Sequence, residues 1–260
     1  MNANMPAEES VRAIALEMLG KVETYVEGTV NDVDVEFLHQ YRVNFRKLRS
    51  LISLLKKSLP EKTVVLLKSR LSPIFRRTNK LRNLDVFLLD ENKYRKMLPA
   101  SFNEGLSELY ILIRKQRKAE QRKVARYLLS KSYTAAIEAC SKKLSLDPVY
   151  DVNSPVKPIL QVTKKLLFNR YQKMMEMSAE INDLSADVDV HELRIEFKKF
   201  RYLMEFFPGF FPKKRLSALI GKVKKVQTVL GNFNDYSTQV TFLEEYIDDS
   251  RLEMSKSLCG

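Results

Sequence analysis

Cysteine, histidine and glycine are scarce in this 260-residue chain, and tryptophan, whose absence excludes nothing, is missing. The two cysteines, Cys140 and Cys259, are too few for a disulfide framework and lack the C-x-x-C spacing of a zinc site. A reducing, intracellular setting is therefore expected. Only 7 Gly and 9 Pro leave little of the turn punctuation an all-β fold needs, so long helices are expected. No apolar run approaches the length that spans a bilayer. The first ten residues carry Glu8 and Glu9 where a secretory leader would be basic. Catalytic signatures are missing too: there is no G-x-x-x-x-G-K-[ST] loop, no G-x-S-x-G turn and no phosphatase-like cluster of carboxylates. The chain is not expected to be an enzyme or to carry a cofactor.

What the chain has is positive charge. Its 45 Lys and Arg face 32 Asp and Glu, a formal net charge of +13, which predicts attraction to a polyanion without saying which one. At 45% hydrophobic it can bury one good core or two small ones.

Apolar residues recur at helical spacing through most of the sequence, beginning with Val11, Ile14, Ala15, Met18, Leu19 and Val22. A break over 28–34 precedes a second helix over 35–58, stopped by Pro60. A third is expected over 61–80, bent at Pro73, and after a break near Arg82 and Asn83 a fourth carries Val86, Phe87 and Leu89. Residues 101–144 read as one or two long basic helices. Turn formers cluster from Ser145 to Pro158, marking a linker between a first bundle (1–148) and a second (156–260). The second opens with Ile159, Val162, Leu166 and Leu167, breaks over 183–189, and resumes as a helix over 190–207 that Pro208-Gly209 ends. Two more helices are expected, over 213–230 and 235–247.

The second helix of each half carries one motif. His39, Arg42, Val43, Phe45, Arg46, Lys47, Leu48 and Arg49 align with His191, Arg194, Ile195, Phe197, Lys198, Lys199, Phe200 and Arg201, at an offset of 191 − 39 = 152. The same offset lays Leu81-Arg82-Asn83 on Phe233-Asn234-Asp235. Two separate segments at one offset argue for internal duplication.

At 3.6 residues per turn, His39, Arg42, Arg46 and Arg49 share an arc of about 80°, and Tyr41, Phe45, Leu48, Ile52 and Leu55 share another roughly opposite. The second copy repeats this with His191, Arg194, Lys198 and Arg201 against Leu193, Phe197, Phe200, Met204 and Phe207. One stripe packs and the other is left to bind. A merely solvated face usually interleaves Glu with Lys, whereas like charges at i, i+4 cost about 0.2–0.5 kcal/mol per pair, so an all-cationic stripe calls for an anion. Val43 and Ile195 flank the stripes away from the core, as the wall of a groove would require. Arg70 and Lys222, also matched at the offset, could extend that wall; Arg76, Arg77 and Lys80 add charge in the first half alone and read as plain surface.

The pattern H-x-x-R-[VI]-x-x-[RK]-K-x-R, present twice and followed each time 43 residues after its His by Arg82-Asn83 or Asn234-Asp235, resembles the conserved histidine α-helical domain, or CHAD, family. Leu81-Arg82-Asn83-Leu84-Asp85-Val86 is similar to the family's L-R-D-L-D-V segment, with Asn83 in place of Asp, and Leu230-Gly231-Asn232-Phe233-Asn234-Asp235 to its L-G-x-L-N-D segment. The resemblance implies an all-α fold of two helical bundles related by a pseudo-twofold, with a basic central channel that binds inorganic polyphosphate. The channel residues it implies are His39, Arg42, Arg46, Arg49, His191, Arg194, Lys198 and Arg201, with Lys47 and Lys199 on the adjoining flank; Lys198 stands where Arg is frequent.

A polyphosphate chain has regular negative charge and no bases, so it needs a track of donors that reads no sequence. Arg forks onto phosphate oxygens, Lys supplies a movable charge, and His donates when protonated. His39 and His191, the only two in the chain, read as supports for the motif helices; an Arg three residues on repels a metal ion, and none is expected. The rival expectation is binding of an RNA or DNA backbone by the ridge Arg114, Lys118, Arg122 and Arg126. Membrane attachment ranks third, for want of an apolar face with aromatic anchors. The resemblance also leaves room for a partner enzyme of polyphosphate metabolism, and for a cytoplasmic location with polyphosphate granules.

Overall fold

The structure, a computed structural model, describes residues 2–148, 156–182, 184–231 and Val240. The fold is all-α: among the described residues the only β pairing is an isolated bridge between Pro6 and Pro158. Two compact units divide the chain between Val162 and Thr163.

The first unit is built from α1 (Ala7–Glu23), α2 (Val26–Val30), α3 (Val35–Leu54), α4 (Glu61–Arg77), α5 (Asn79–Leu89), α6 (Glu91–Met97), α7 (Asn103–Leu128) and α8 (Lys131–Ser145). α3 packs against α1, α2 and α4, with α8 on α1 and α4 and α7 on α5. Its apolar side is the centre of the core: Tyr41, Phe45, Leu48, Ile52 and Leu55, the five residues expected there, are all buried. Each fully buried side chain of this size contributes about 1.5–3 kcal/mol.

The start of α3 is fixed by local chemistry. Asp32 adopts φ 52°, a left-handed turn that Asp tolerates, and Asp34 caps α3 by accepting from the Glu36 N–H at 2.6 Å. Gly28 in α2 is needed because a Cβ there would lie 2.1 Å from the Phe37 ring of α3. The loop is tied down by Arg117 of α7, whose guanidinium donates to both Asp32 oxygens and, through Nε, to Asp85 Oδ1 at 2.8 Å.

The break expected at Arg82 and Asn83 is not there. α5 runs through both, and the interruption falls at Thr78. Its cause is a competition for the Phe75 carbonyl, the acceptor that would continue α4. The Thr78 hydroxyl donates to it at 2.8 Å, the Arg42 guanidinium at 3.2 Å and the Thr78 N–H at 3.3 Å, and α4 ends at Arg77. The basic stretch expected as one or two helices is two, α7 and α8, because Ser130 caps α8 through the Tyr133 N–H at 3.2 Å. The short α6 was not foreseen.

The second unit contains most of α9 (Ile159–Glu180), α10 (Asp187–Phe206) and a helix over 213–231, α11. Met174, Leu193, Phe200, Met204, Leu216 and Val223 form its core, with Phe197 packed against them. α10 starts three residues before the expected Val190; Asp187 and Asp189 occupy its first turn, where carboxylates offset the positive end of the helix dipole. The first turn of α9 belongs to the first unit, held by Ile159 N–H to Met5 carbonyl at 2.9 Å. Apart from Val240, the helix expected over 235–247 lies outside the described residues, as do Phe233-Asn234-Asp235 and Cys259. Among the described residues no helix is long and apolar enough to cross a membrane.

Candidate functional site

α3 presents His39, Arg42, Arg46 and Arg49 along one side, opposite the core residues. Arg42 is the deepest, 7% exposed, where the others are half-buried. Among the described residues it is held by neutral acceptors: the Phe75 carbonyl at 3.2 Å and the Thr78 hydroxyl. Its guanidinium lies 4.3 Å from the centroid of the Phe75 ring, and that of Arg49 4.8 Å from the same ring. One aromatic platform thus supports two cations of the stripe. Among the described residues no carboxylate is ion-paired with Arg42, Arg46, Arg49 or Arg76.

This crowding of like charge shows in the titration of the groups. Burial, reinforced by Arg46 and Arg82, pushes Arg42 down to about 10. Burial lowers Arg49 as well, and Arg76 of α4 is the next cause. His39 is lowered by burial and then by Arg82, with Glu36 opposing and Arg46 and Arg42 adding to the depression. The site is thus assembled from three helices. Arg82 of α5 and Arg76 of α4 join the α3 stripe, although spacing along α3 alone could not find them.

The other residues of the first half go elsewhere. Lys47 is half-buried on the flank. Arg70 is exposed on the side of α4 that faces α8, close enough to Cys140 to oppose the burial that pushes its thiol up to about 11. Nothing places Arg70 with the stripe. The ridge on α7 is exposed at Arg114, Lys118, Arg122 and Arg126, with Arg114 paired to Glu91 of α6.

In the second unit α10 carries an exposed His191 with half-buried Arg194, Lys198 and Arg201. Lys199 is committed within the unit: its ammonium donates to Glu196 Oε1 at 2.6 Å, while Arg170 of α9 donates to Oε2 at 2.8 Å and Lys173 stands 3.7 Å off. Glu196 is 3% exposed; burial would raise its carboxyl, but Lys199 and Arg170 outweigh that and hold it below the usual range. Arg201 lies 3.4 Å from Glu205. Lys222 is exposed on α11. Among the described residues no group of three or more His, Cys, Asp and Glu is placed to hold a metal ion.

Similarity to known proteins follows the same lines. A comparison with curated proteins finds no significant match. The crystal structure of the CHAD domain from the plant Ricinus communis superposes with a TM-score of 0.80 at 24% identity, over 96% of this chain and 82% of that one. PptA from Streptomyces chartreusis superposes with a TM-score of 0.64 at 14% identity, over 90% and 84%. At these identities the likeness is one of fold. The family model described as CHAD domain matches residues 13–244. That span takes in both motif helices with their histidines and basic stripes, and the chain belongs to the CHAD domain family.

Proposed function

We propose that this protein binds inorganic polyphosphate through the basic stripes of α3 and α10, and does not itself transform it. The observation that carries the reading is the α3 stripe. Arg42 and Arg49 share the Phe75 ring, and Arg46, Arg76 and Arg82 stand near enough for their like charge to depress one or both of them. Folding maintains this arrangement, and a bound polyanion turns its repulsion into attraction. Family membership supports the same ligand. Catalysis on the chain would fall to a partner enzyme of polyphosphate metabolism, in the cytoplasm or at polyphosphate granules.

Labelled long-chain polyphosphate, displaced at physiological salt by unlabelled polyphosphate, duplex DNA or single-stranded RNA, tests the reading. Polyphosphate is expected to displace at far lower phosphate concentration than either nucleic acid, and log K to fall linearly and steeply with log salt. Equal displacement by nucleic acid would favour the exposed ridge of Lys118, Arg122 and Arg126 as the site.

His39 makes binding depend on pH. Its folded value lies below the ordinary 6.5, so acidification through that range disfavours the free fold; a neighbouring polyanion favours the imidazolium and reverses this. The melting-temperature rise given by polyphosphate is expected to be larger at pH 6 than at pH 8. The His39→Gln variant should flatten the difference; an unchanged pH profile would remove His39 from the site.

A further inference from the structure

The two motif helices match within their stripes and differ between them. α3 carries one carboxylate, Glu36, beside Arg42, Arg46, Lys47 and Arg49, a formal charge of +3 from four cations less one. α10 carries Asp187, Asp189, Glu192, Glu196 and Glu205 beside Arg194, Lys198, Lys199 and Arg201, a formal charge of −1 from four cations less five. At the offset of 152, Glu192, Glu196 and Glu205 stand where α3 has the neutral Gln40, Asn44 and Ser53.

Geometry sharpens the contrast. In α10, Glu196 draws off Lys199, and Glu205 lies 3.4 Å from Arg201. In α3, Asn44 donates to the Gln40 carbonyl at 2.9 Å, and the Gln40 amide donates to Glu36 at 2.5 Å, so neutral groups sit where α10 places acids. The surroundings differ in the same direction. Phe75 and Arg76, the platform and the cation beside Arg49, correspond by offset to Gln227 and Thr228 on α11. Arg76 follows Phe75 in the last turn of α4, next to the ring that Arg49 overlies at 4.8 Å, and its charge helps to depress that guanidinium.

We propose that the affinity for the phosphate chain is concentrated in the first unit, where Arg76 is a further phosphate-binding residue beside Arg46 and Arg49, and that the α10 stripe binds it more weakly. This rests on the polyphosphate reading and divides its binding between the halves. On α3 phosphoryl oxygens meet bidentate donors that no carboxylate ion-pairs among the described residues; on α10 they must compete with Glu205 for Arg201, against the field of the other acids.

The test compares wild type with Arg76→Glu, Lys198→Glu and Glu192→Gln, each checked for helicity by circular dichroism and measured against tripolyphosphate and long-chain polyphosphate. Arg76→Glu is expected to weaken both ligands tenfold or more and Lys198→Glu less than threefold. Glu192→Gln, which gives α10 the neutral residue of α3 at an exposed position, is expected to tighten long-chain binding about twofold or more. Arg76→Glu binding like wild type, or Lys198→Glu losing as much as Arg76→Glu, would overturn the asymmetry while leaving polyphosphate binding intact. A wild-type protein that binds neither ligand overturns both readings.

Discussion

Arg117→Met is expected to lower the unfolding free energy by about 3–5 kcal/mol, the cost of removing one partner from a buried ion pair. Asp85 is wholly buried and its Oδ2 has no hydrogen-bond partner among the described residues, so the Nε contact at 2.8 Å from Arg117 carries most of its compensation. Burial already raises the Asp85 carboxyl above its ordinary value, with Arg117 opposing. Without Arg117 that value rises further, and the sign of the pH dependence follows. A carboxyl whose folded value exceeds its unfolded one costs nothing below the unfolded value and destabilises as pH rises through the folded one. The gap between variant and wild type in urea unfolding should therefore be widest near neutrality and narrow as the pH falls. Adding Asp85→Asn removes the stranded charge and should recover part of the loss. A single variant as stable as wild type, or a double variant less stable than the single one, would show that the pair does not hold this corner. Because Arg117 also grips Asp32 in the turn that launches α3, the single variant should bind polyphosphate more weakly too.

How legible was this in the sequence? The core side of α3 was, since period alone sets Tyr41, Phe45, Leu48, Ile52 and Leu55 on one arc and all five are buried. So was the stripe opposite, and with it the family. What period could not supply was anything made across helices. The end of α4 depends on Arg42 reaching the Phe75 carbonyl, a contact spanning 33 residues, so the break falls at Thr78 and not at Arg82-Asn83. Arg76 is exposed, as a surface residue would be, but nothing along α4 says that its charge acts on Arg49. Lys199 aligned with Lys47 and shared its expected place on the flank. Glu196 was the available signal that it is held within the unit, being a carboxylate among cations where α3 has Asn44. Arg70, matched to Lys222 at the offset, is exposed on α4, where its charge acts on Cys140 of α8.

Arg46→Glu is expected to reduce polyphosphate affinity by one to two orders of magnitude while leaving the free protein as stable as wild type or slightly more so. The loss has two parts. A charge-assisted hydrogen bond to phosphate contributes about 1.5–3 kcal/mol, and the new carboxylate then repels the chain that the arginine attracted. The stability effect runs the other way because Arg46 sits four residues after Arg42 and three before Arg49, with no ion pair to lose among the described residues. Reversing its charge converts two repulsive contacts on one helix face into attractive ones, each worth about 0.2–0.5 kcal/mol. A residue retained for stability would move both quantities down together; one retained for a ligand moves them apart. Thermal melting of the free protein, paired with a titration at physiological salt, reads both. A variant that melts several degrees lower and binds proportionately less would make the α3 stripe a structural feature. Opposite signs would show that the repulsion along α3 is kept because an anion relieves it.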